Sequence, residues 1–108
     1  MFDEAQRSLI DLLDALIDSG AKLIEDTAIT LVPARTGLLK STIRTLTTDK
    51  PMERIVRAGD PAQGCDYAPF VEYGTYKMRA QPFMRPAAEA RGPEIAEMIR
   101  EGMKELFG

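Results

Sequence analysis

The feature that most constrains the fold is an apolar repeat of helical period over residues 3–31. Apolar residues recur there at three- and four-residue spacing, at Leu9, Leu12, Leu13, Leu16, Ile17, Leu23, Ile24, Ala28 and Leu31. This spacing predicts an amphipathic helix. At ~1.5 Å per residue the helix would be about 40 Å long. We therefore expect one long helix to dominate a single domain that spans residues 1–108.

Local signals mark the ends of this helix. Asp3 can cap its first turn, and Gln6, three residues further on, completes a capping box. Pro33 ends the helix, because proline cannot continue the hydrogen-bond ladder. Gly20 lies inside it and predicts either a bend or a close crossing with another element.

Two short β-rich segments follow the long helix. Thr36 can first cap a turn through residues 38–40. Residues 43–48 and 54–59 are rich in β-branched side chains and partly alternate, and the link 48–53 contains a proline. We predict an antiparallel hairpin, which must pack on the long helix because so small a hairpin is not stable alone.

The last part of the chain predicts a short helix and a long one. Residues 67–73 suit one or two helical turns that end at Gly74, and residues 75–80 suit a third strand or an extended arm. Arg85 and Pro86 open the final helix, and Gly92-Pro93 indicates a kink or a break near residue 92. The predicted fold class is α+β, with long N-terminal and C-terminal helices on a small antiparallel sheet and a short helix over 67–73.

Charge is distributed unevenly along the chain. The formal net charge is -3, which argues against a general nucleic-acid binder. Residues 1–31 carry seven acids and two bases, whereas residues 32–60 carry six bases and three acids. We expect these regions to attract each other, within the chain or between copies.

The residues for common catalytic and metal sites are missing from the sequence. It has one cysteine, Cys65, and no histidine, which excludes an internal disulfide and a classical zinc site. A catalytic thiol would lack an activating histidine. Glu72 beside Tyr73 and Arg79 could form an acid–base pair, but a solvated or salt-bridged loop is the simpler interpretation. The sequence therefore predicts no enzymatic activity, no cofactor and no metal.

The segment 67–86 concentrates aromatic, methionine and basic residues. Tyr67, Phe70 and Val71 are predicted to plug one end of the core. The residue types further along are enriched at protein interfaces. The candidate protein–protein interface consists of Tyr73, Tyr76, Met78, Arg79, Phe83, Met84 and Arg85. We expect Tyr73→Ala or Phe83→Ala to weaken assembly more than folding.

Three sequence blocks occur in order along the chain. The first comprises Pro33, Thr36, Gly37 and Leu39. The second comprises Tyr67, Ala68, Val71, Glu72, Gly74 and Thr75, and the third Pro82, Phe83, Pro86 and Ala87. In this order and spacing the chain resembles the small neck and tail-component family of long-tailed phages and prophages.

The resemblance implies a structural virion protein that acts in tail completion or head–tail joining as a ring-forming neck component, without enzymatic activity. Its expected partners are its own copies, in a sixfold ring, and adjacent neck or tail proteins, with no membrane and no small-molecule substrate. It would be found in the host cytoplasm during assembly and then in the virion neck.

Basic residues of the hairpin would take a particular place in such a ring. Arg44, Arg54 and Arg57 are candidates to line the bore, where a charged collar could pass DNA without sequence readout. Two alternatives stay open. One is a tail terminator that caps the tail tube, and the other is a small regulatory binding module that dimerises through its long helix.

Overall fold

The fold consists of two long helices, a small β-hairpin and two short helices. The structure, a computed structural model, describes residues 4–33, 37–65, 67–75 and 79–107. Its elements, in chain order, are α1 (Glu4–Leu31), α2 (Gly37–Thr42), β1 (Arg44–Thr47), β2 (Arg54–Arg57), α3 (Ala68–Tyr73) and α4 (Met84–Phe107). The strands pair antiparallel, and the predicted α+β architecture is confirmed.

α1 and α4 pack side by side in opposite directions, with a glycine at two of their contacts. Leu16 contacts Gly102, and Gly20 contacts Ile95. Residue numbers therefore increase along α1 in the direction in which they decrease along α4, so the two helices are antiparallel. A Cβ added at Gly20 would lie 2.9 Å from Cγ2 of Ile95. Gly20 was expected to mark either a bend or a close crossing, and the structure shows a close crossing of α1 with α4.

α4 begins within one residue of the predicted start and has no break near residue 92, so a kink there stays a prediction. It begins at Met84, before Pro86, and continues unbroken past Pro93 to Phe107. A residue before proline avoids the helical region partly because its Cβ meets the proline ring. Gly92 has no Cβ, which removes that part of the conflict and allows the helix to continue.

Several predicted features involve residues outside the described ranges. Asp3 and Thr36, both predicted as helix caps, are among them. The proposed strand over 75–80 is described only at its ends, where Thr75 forms a single bridge and residues 79–80 form no strand. None of the helices in the described ranges is long and apolar enough to cross a membrane.

Acidic side chains of α1 form hydrogen bonds and ion pairs with the hairpin. The guanidinium of Arg54 donates to both carboxylate oxygens of Asp14, at 2.9 and 2.8 Å, and to Asp18 at 2.9 Å. Glu25 accepts the backbone N–H of Thr45 at 2.6 Å. Part of the predicted attraction between the acidic and basic regions is therefore made within one chain.

Hydrogen bonds from Arg54 help to lower the pKa of both aspartates. Hydrogen bonds from Arg54 and from the backbone N–H of Met52 lower the pKa of Asp14 from 3.8 to about 2. The pKa of Asp18 is lowered first by a hydrogen bond from Lys22 and then by one from Arg54. The same bonds raise the pKa of Arg54. The contact between hairpin and helix therefore persists wherever the aspartates are charged.

The core lies at the end of α1 and the beginning of α4. Its buried residues are Ala28, Val32, Leu39, Ile43, Cys65, Ala68, Val71, Phe83 and Ala87. Phe83, Leu39 and Cys65 are the largest of the fully buried side chains. Residues from all three sequence blocks are in this list, so the blocks converge on one core.

Candidate protein–protein interface

α3 divides its six residues between the core and the solvent. Ala68, Val71 and Glu72 are buried, as their three- and four-residue spacing dictates. Phe70 lies on the opposite face with 54% of its surface exposed, and Tyr73 is 79% exposed. The prediction that Phe70 plugs the core is therefore wrong, whereas that for Val71 is confirmed.

Gly74 ends α3 directly after Tyr73. Its φ of 78° lies in the region that side chains other than glycine rarely adopt, and its N–H donates to the carbonyl of Phe70 at 2.8 Å. The predicted helix stop at Gly74 is confirmed. It leaves Tyr73 as the last helical residue, with its ring in solvent.

Glu72 caps the beginning of α4 from another helix. Its Oε1 accepts the backbone N–H groups of Phe83 and Met84, at 3.0 and 2.9 Å, and its Oε2 accepts that of Arg85 at 3.2 Å. Burial acts to raise the pKa of Glu72, but the three N–H donors outweigh it and the pKa is lowered. Because the carboxylate is fully used as an acceptor, Glu72 acts as a link between the second and third sequence blocks.

This capping role was not predicted from the sequence. The residues before α4 are Gln81, Pro82 and Phe83, none of which is a favourable capping residue. A long helix without a local cap was therefore the signal that an acceptor had to come from elsewhere in the fold.

The predicted interface residues have different environments. Phe83 is fully buried, so its assignment to an interface is wrong. It lies inside the core because it precedes α4 at the point where that helix meets the end of α1. Tyr73, Arg79 and Arg85 are exposed, and Met84 is partly buried. Tyr76 and Met78 lie outside the described residues.

A shallow apolar groove runs beside these exposed residues. It consists of two adjoining depressions of about 230 and 220 Å³ that share Ala58, Ala68 and Pro69 as lining residues. We call it the α3 groove. Arg85 lines the first depression together with Tyr73 and Met84, and Arg57 lines the second. Small-molecule sites usually have about 300–1,000 Å³, so each depression suits a protein side chain better than a ligand.

Two of the predicted bore-lining arginines form an exposed pair on the hairpin. Arg44 lies directly opposite Arg57 across the strands. Both guanidinium groups lie near Asp60, at 3.5 and 4.0 Å, and both side chains are about half exposed. The strand alternation turns Arg54 to the other face of the hairpin, where its side chain is only 10% exposed. Arg54 therefore cannot share an exposed basic stripe with them.

The described side chains form no candidate metal site, and the one cysteine is buried. Within the described ranges, no group of three or more histidine, cysteine, aspartate or glutamate residues could hold a metal ion. Cys65 is fully buried, and its Sγ lies 4.0 Å from Oγ1 of Thr42. That hydroxyl donates to the carbonyl of Leu39 and accepts the N–H of Gly59, at 2.7 and 2.8 Å, so it serves the fold.

No protein-family model, no curated protein and no solved structure matches this chain. The exposed side chains of α3 and the groove beside them are therefore the features from which a function can be argued.

Proposed function

We propose that this chain is a structural subunit of a long-tailed phage or prophage. It acts in tail completion or head–tail joining as a ring-forming neck component. The observation that carries the proposal is the α3 groove with the exposed Tyr73 in its lining, together with the exposed Phe70 one turn earlier on α3. Large aromatic side chains at a rigid, partly apolar surface are typical of protein interfaces.

The three sequence blocks support the proposal because they build the base of this surface. Leu39, Val71 and Phe83 form part of the core beneath it. Glu72 ties α3 to the start of α4, and Gly74 ends α3 so that Tyr73 stays exposed. The blocks that carry the family resemblance thus position a surface without adding reactive groups to it.

A ring would give the exposed Arg44 of the hairpin a role. Each copy presents this half-exposed guanidinium, and sixfold repetition would multiply the charge around a bore. Such a collar attracts the DNA backbone without reading its sequence. Arg54 has no part in this proposal because Asp14 and Asp18 hold it against α1.

The alternative of a regulatory module that dimerises through α1 receives less support. α1 contacts α4 on one side and the hairpin on another, and apolar residues in its first half are partly buried by these contacts. A long apolar stripe is therefore not left open for a second helix. The structure contains no observation that favours this module over the neck component.

Electron microscopy of particles made without the protein tests the proposal. The gene is disrupted in the phage or prophage that encodes it, and the lysate is compared with one complemented by the intact gene. We expect filled heads and separate tails of normal length. Tails of abnormal length would instead identify the tail terminator, because a terminator stops tube growth. Normal joined virions in the absence of the protein would overturn both assignments.

A further inference from the structure

The α3 groove and the far tip of the molecule lie at opposite ends of one helix. Met84 and Arg85, at the start of α4, line the groove. α4 has 24 residues, which corresponds to about 35 Å at ~1.5 Å per residue. A chain therefore cannot bring its own α4 tip into its own groove, and a contact between the two must join different copies.

One face of the tip is acidic, with the cations Arg100 and Lys104 beside it, and the groove has arginines in its lining. Near the tip, Glu101 and Glu105 lie one turn apart on the same face of α4 and both are exposed. Glu101 lies 3.9 Å from Lys104, and no cation of the described residues pairs with Glu105. The carbonyl end of the helix adds partial negative charge.

The cations at the groove are held only weakly by their own chain. The guanidinium of Arg85 lies 3.7 Å from Glu89, and both side chains are largely exposed. That of Arg57 lies 4.0 Å from Asp60. Exposed pairs of this kind contribute little energy, so both arginines can accept an additional carboxylate.

From this arrangement we propose that the α3 groove binds the acidic tip of α4 of a second copy. Glu101 and Glu105 of one protomer approach Arg57 and Arg85 of the next. The inference rests on the proposed function and names the contact between copies. Because it joins two different surfaces, it is a head-to-tail contact, which closes into a ring when the rotation between copies allows it.

Charge reversal followed by mixing tests the contact. The groove variant is Arg57→Glu/Arg85→Glu, and the tip variant is Glu101→Arg/Glu105→Arg. Matched controls, Lys40→Glu/Lys50→Glu and Asp26→Arg/Glu53→Arg, make the same charge changes at exposed sites away from groove and tip. Sedimentation velocity over a range of protein concentrations, in about 50 mM and about 500 mM salt, measures self-association. Circular dichroism checks that each variant is folded.

We expect the wild type to associate in low salt and to dissociate in high salt. Each reversed variant should associate at least about tenfold more weakly, because like charges then face each other. An equimolar mixture of the two should recover association, since the reversed tip complements the reversed groove. The control variants should behave like the wild type.

Three results would overturn the inference. The wild type could fail to associate in low salt as its concentration rises. The mixture of the two reversed variants could fail to recover association, or the control variants could associate as weakly as the groove and tip variants. Phage complementation separates this inference from the proposed function. Joined virions built with the folded tip variant would overturn the tip contact alone, and the proposed function would remain.

Discussion

At the scale of single residues, Glu72 shows most clearly how one side chain positions the candidate interface. Its carboxylate accepts the first N–H groups of α4 while its own helix presents Phe70 and Tyr73 to solvent. One buried acid thus sets the orientation of α3 relative to α4. The α3 groove exists only while this orientation is kept.

Removing this carboxylate should destabilise the fold. We expect Glu72→Ala to lower the free energy of unfolding by about 1–3 kcal/mol, because buried N–H groups lose their acceptor. Denaturant unfolding measures the change. Glu89→Ala, at an exposed site on α4, is the control and should change stability by less than about 0.5 kcal/mol. Equal effects of the two substitutions would contradict the capping role.

Phe83 and Tyr73 should separate folding from assembly. Phe83→Ala should cost about 3–5 kcal/mol of stability, because it empties a fully buried site in the core. Tyr73→Ala should leave the unfolding free energy within about 0.5 kcal/mol of the wild type and weaken self-association. Thermal unfolding and sedimentation measure the two effects. A Tyr73→Ala variant that assembles normally would remove Tyr73 from the interface.

The cluster around Arg54 should make stability depend on pH in acid. The folded-state pKa of Asp14 is about 2, below its ordinary 3.8. Between these values the unfolded chain binds more protons, so stability should fall as pH decreases from about 4 toward 2. Urea unfolding at a series of pH values measures this. Arg54→Met removes the largest cause of the lowered pKa of Asp14, so the stability of the variant should decline less steeply over the same range. Parallel declines in both proteins would contradict the assignment.

At the scale of elements, α4 contains a proline that weakens it. Pro93 lies in the helix interior, where it lacks an N–H to donate and its ring crowds the preceding turn. The helix continues because it packs on α1 over several turns. Its tolerance of Pro93 therefore depends on tertiary contacts and not on local preference.

Replacing this proline should stabilise the protein. We expect Pro93→Ala to raise the unfolding free energy by at least about 1 kcal/mol, which in a domain of this size raises the melting temperature by about 4–8 °C. Pro86→Ala is the matched control and should have little effect, because the first helical turn has no intrahelical N–H bond to restore. A Pro93→Ala variant with an unchanged melting temperature would show that the proline is not a source of strain.

Helices and strands with strong local signals could be predicted from the sequence. Whether an individual side chain is buried or exposed could not. α1 begins within one residue of its predicted start and ends where predicted, because its apolar repeat from Leu9 to Leu31 covers about six turns. The hairpin follows from its β-branched residues. In contrast, Arg54 is held against α1 by Asp18 and Asp14, which lie 36 and 40 positions earlier in the sequence. Phe70 is exposed because α3 packs on the core through its other face. Such long-range contacts leave no local pattern in the sequence.

At the scale of the whole molecule, the protein is an elongated body of 55 × 28 × 20 Å with two different ends. One end holds the core, the α3 groove and the exposed arginines. The other end is formed by the first turns of α1 and the last turns of α4. A body with unlike ends is suited to head-to-tail association, which is how rings of one protein are built.

The central claim is that the protein joins parts of a virion through the surface around α3. A cryo-EM map of the neck of the virion that encodes it tests this claim most directly. We expect a ring of this fold at the junction of head and tail, with Phe70 and Tyr73 buried against a neighbouring subunit. A neck map without this fold, or one in which both aromatic rings face solvent, would contradict the account.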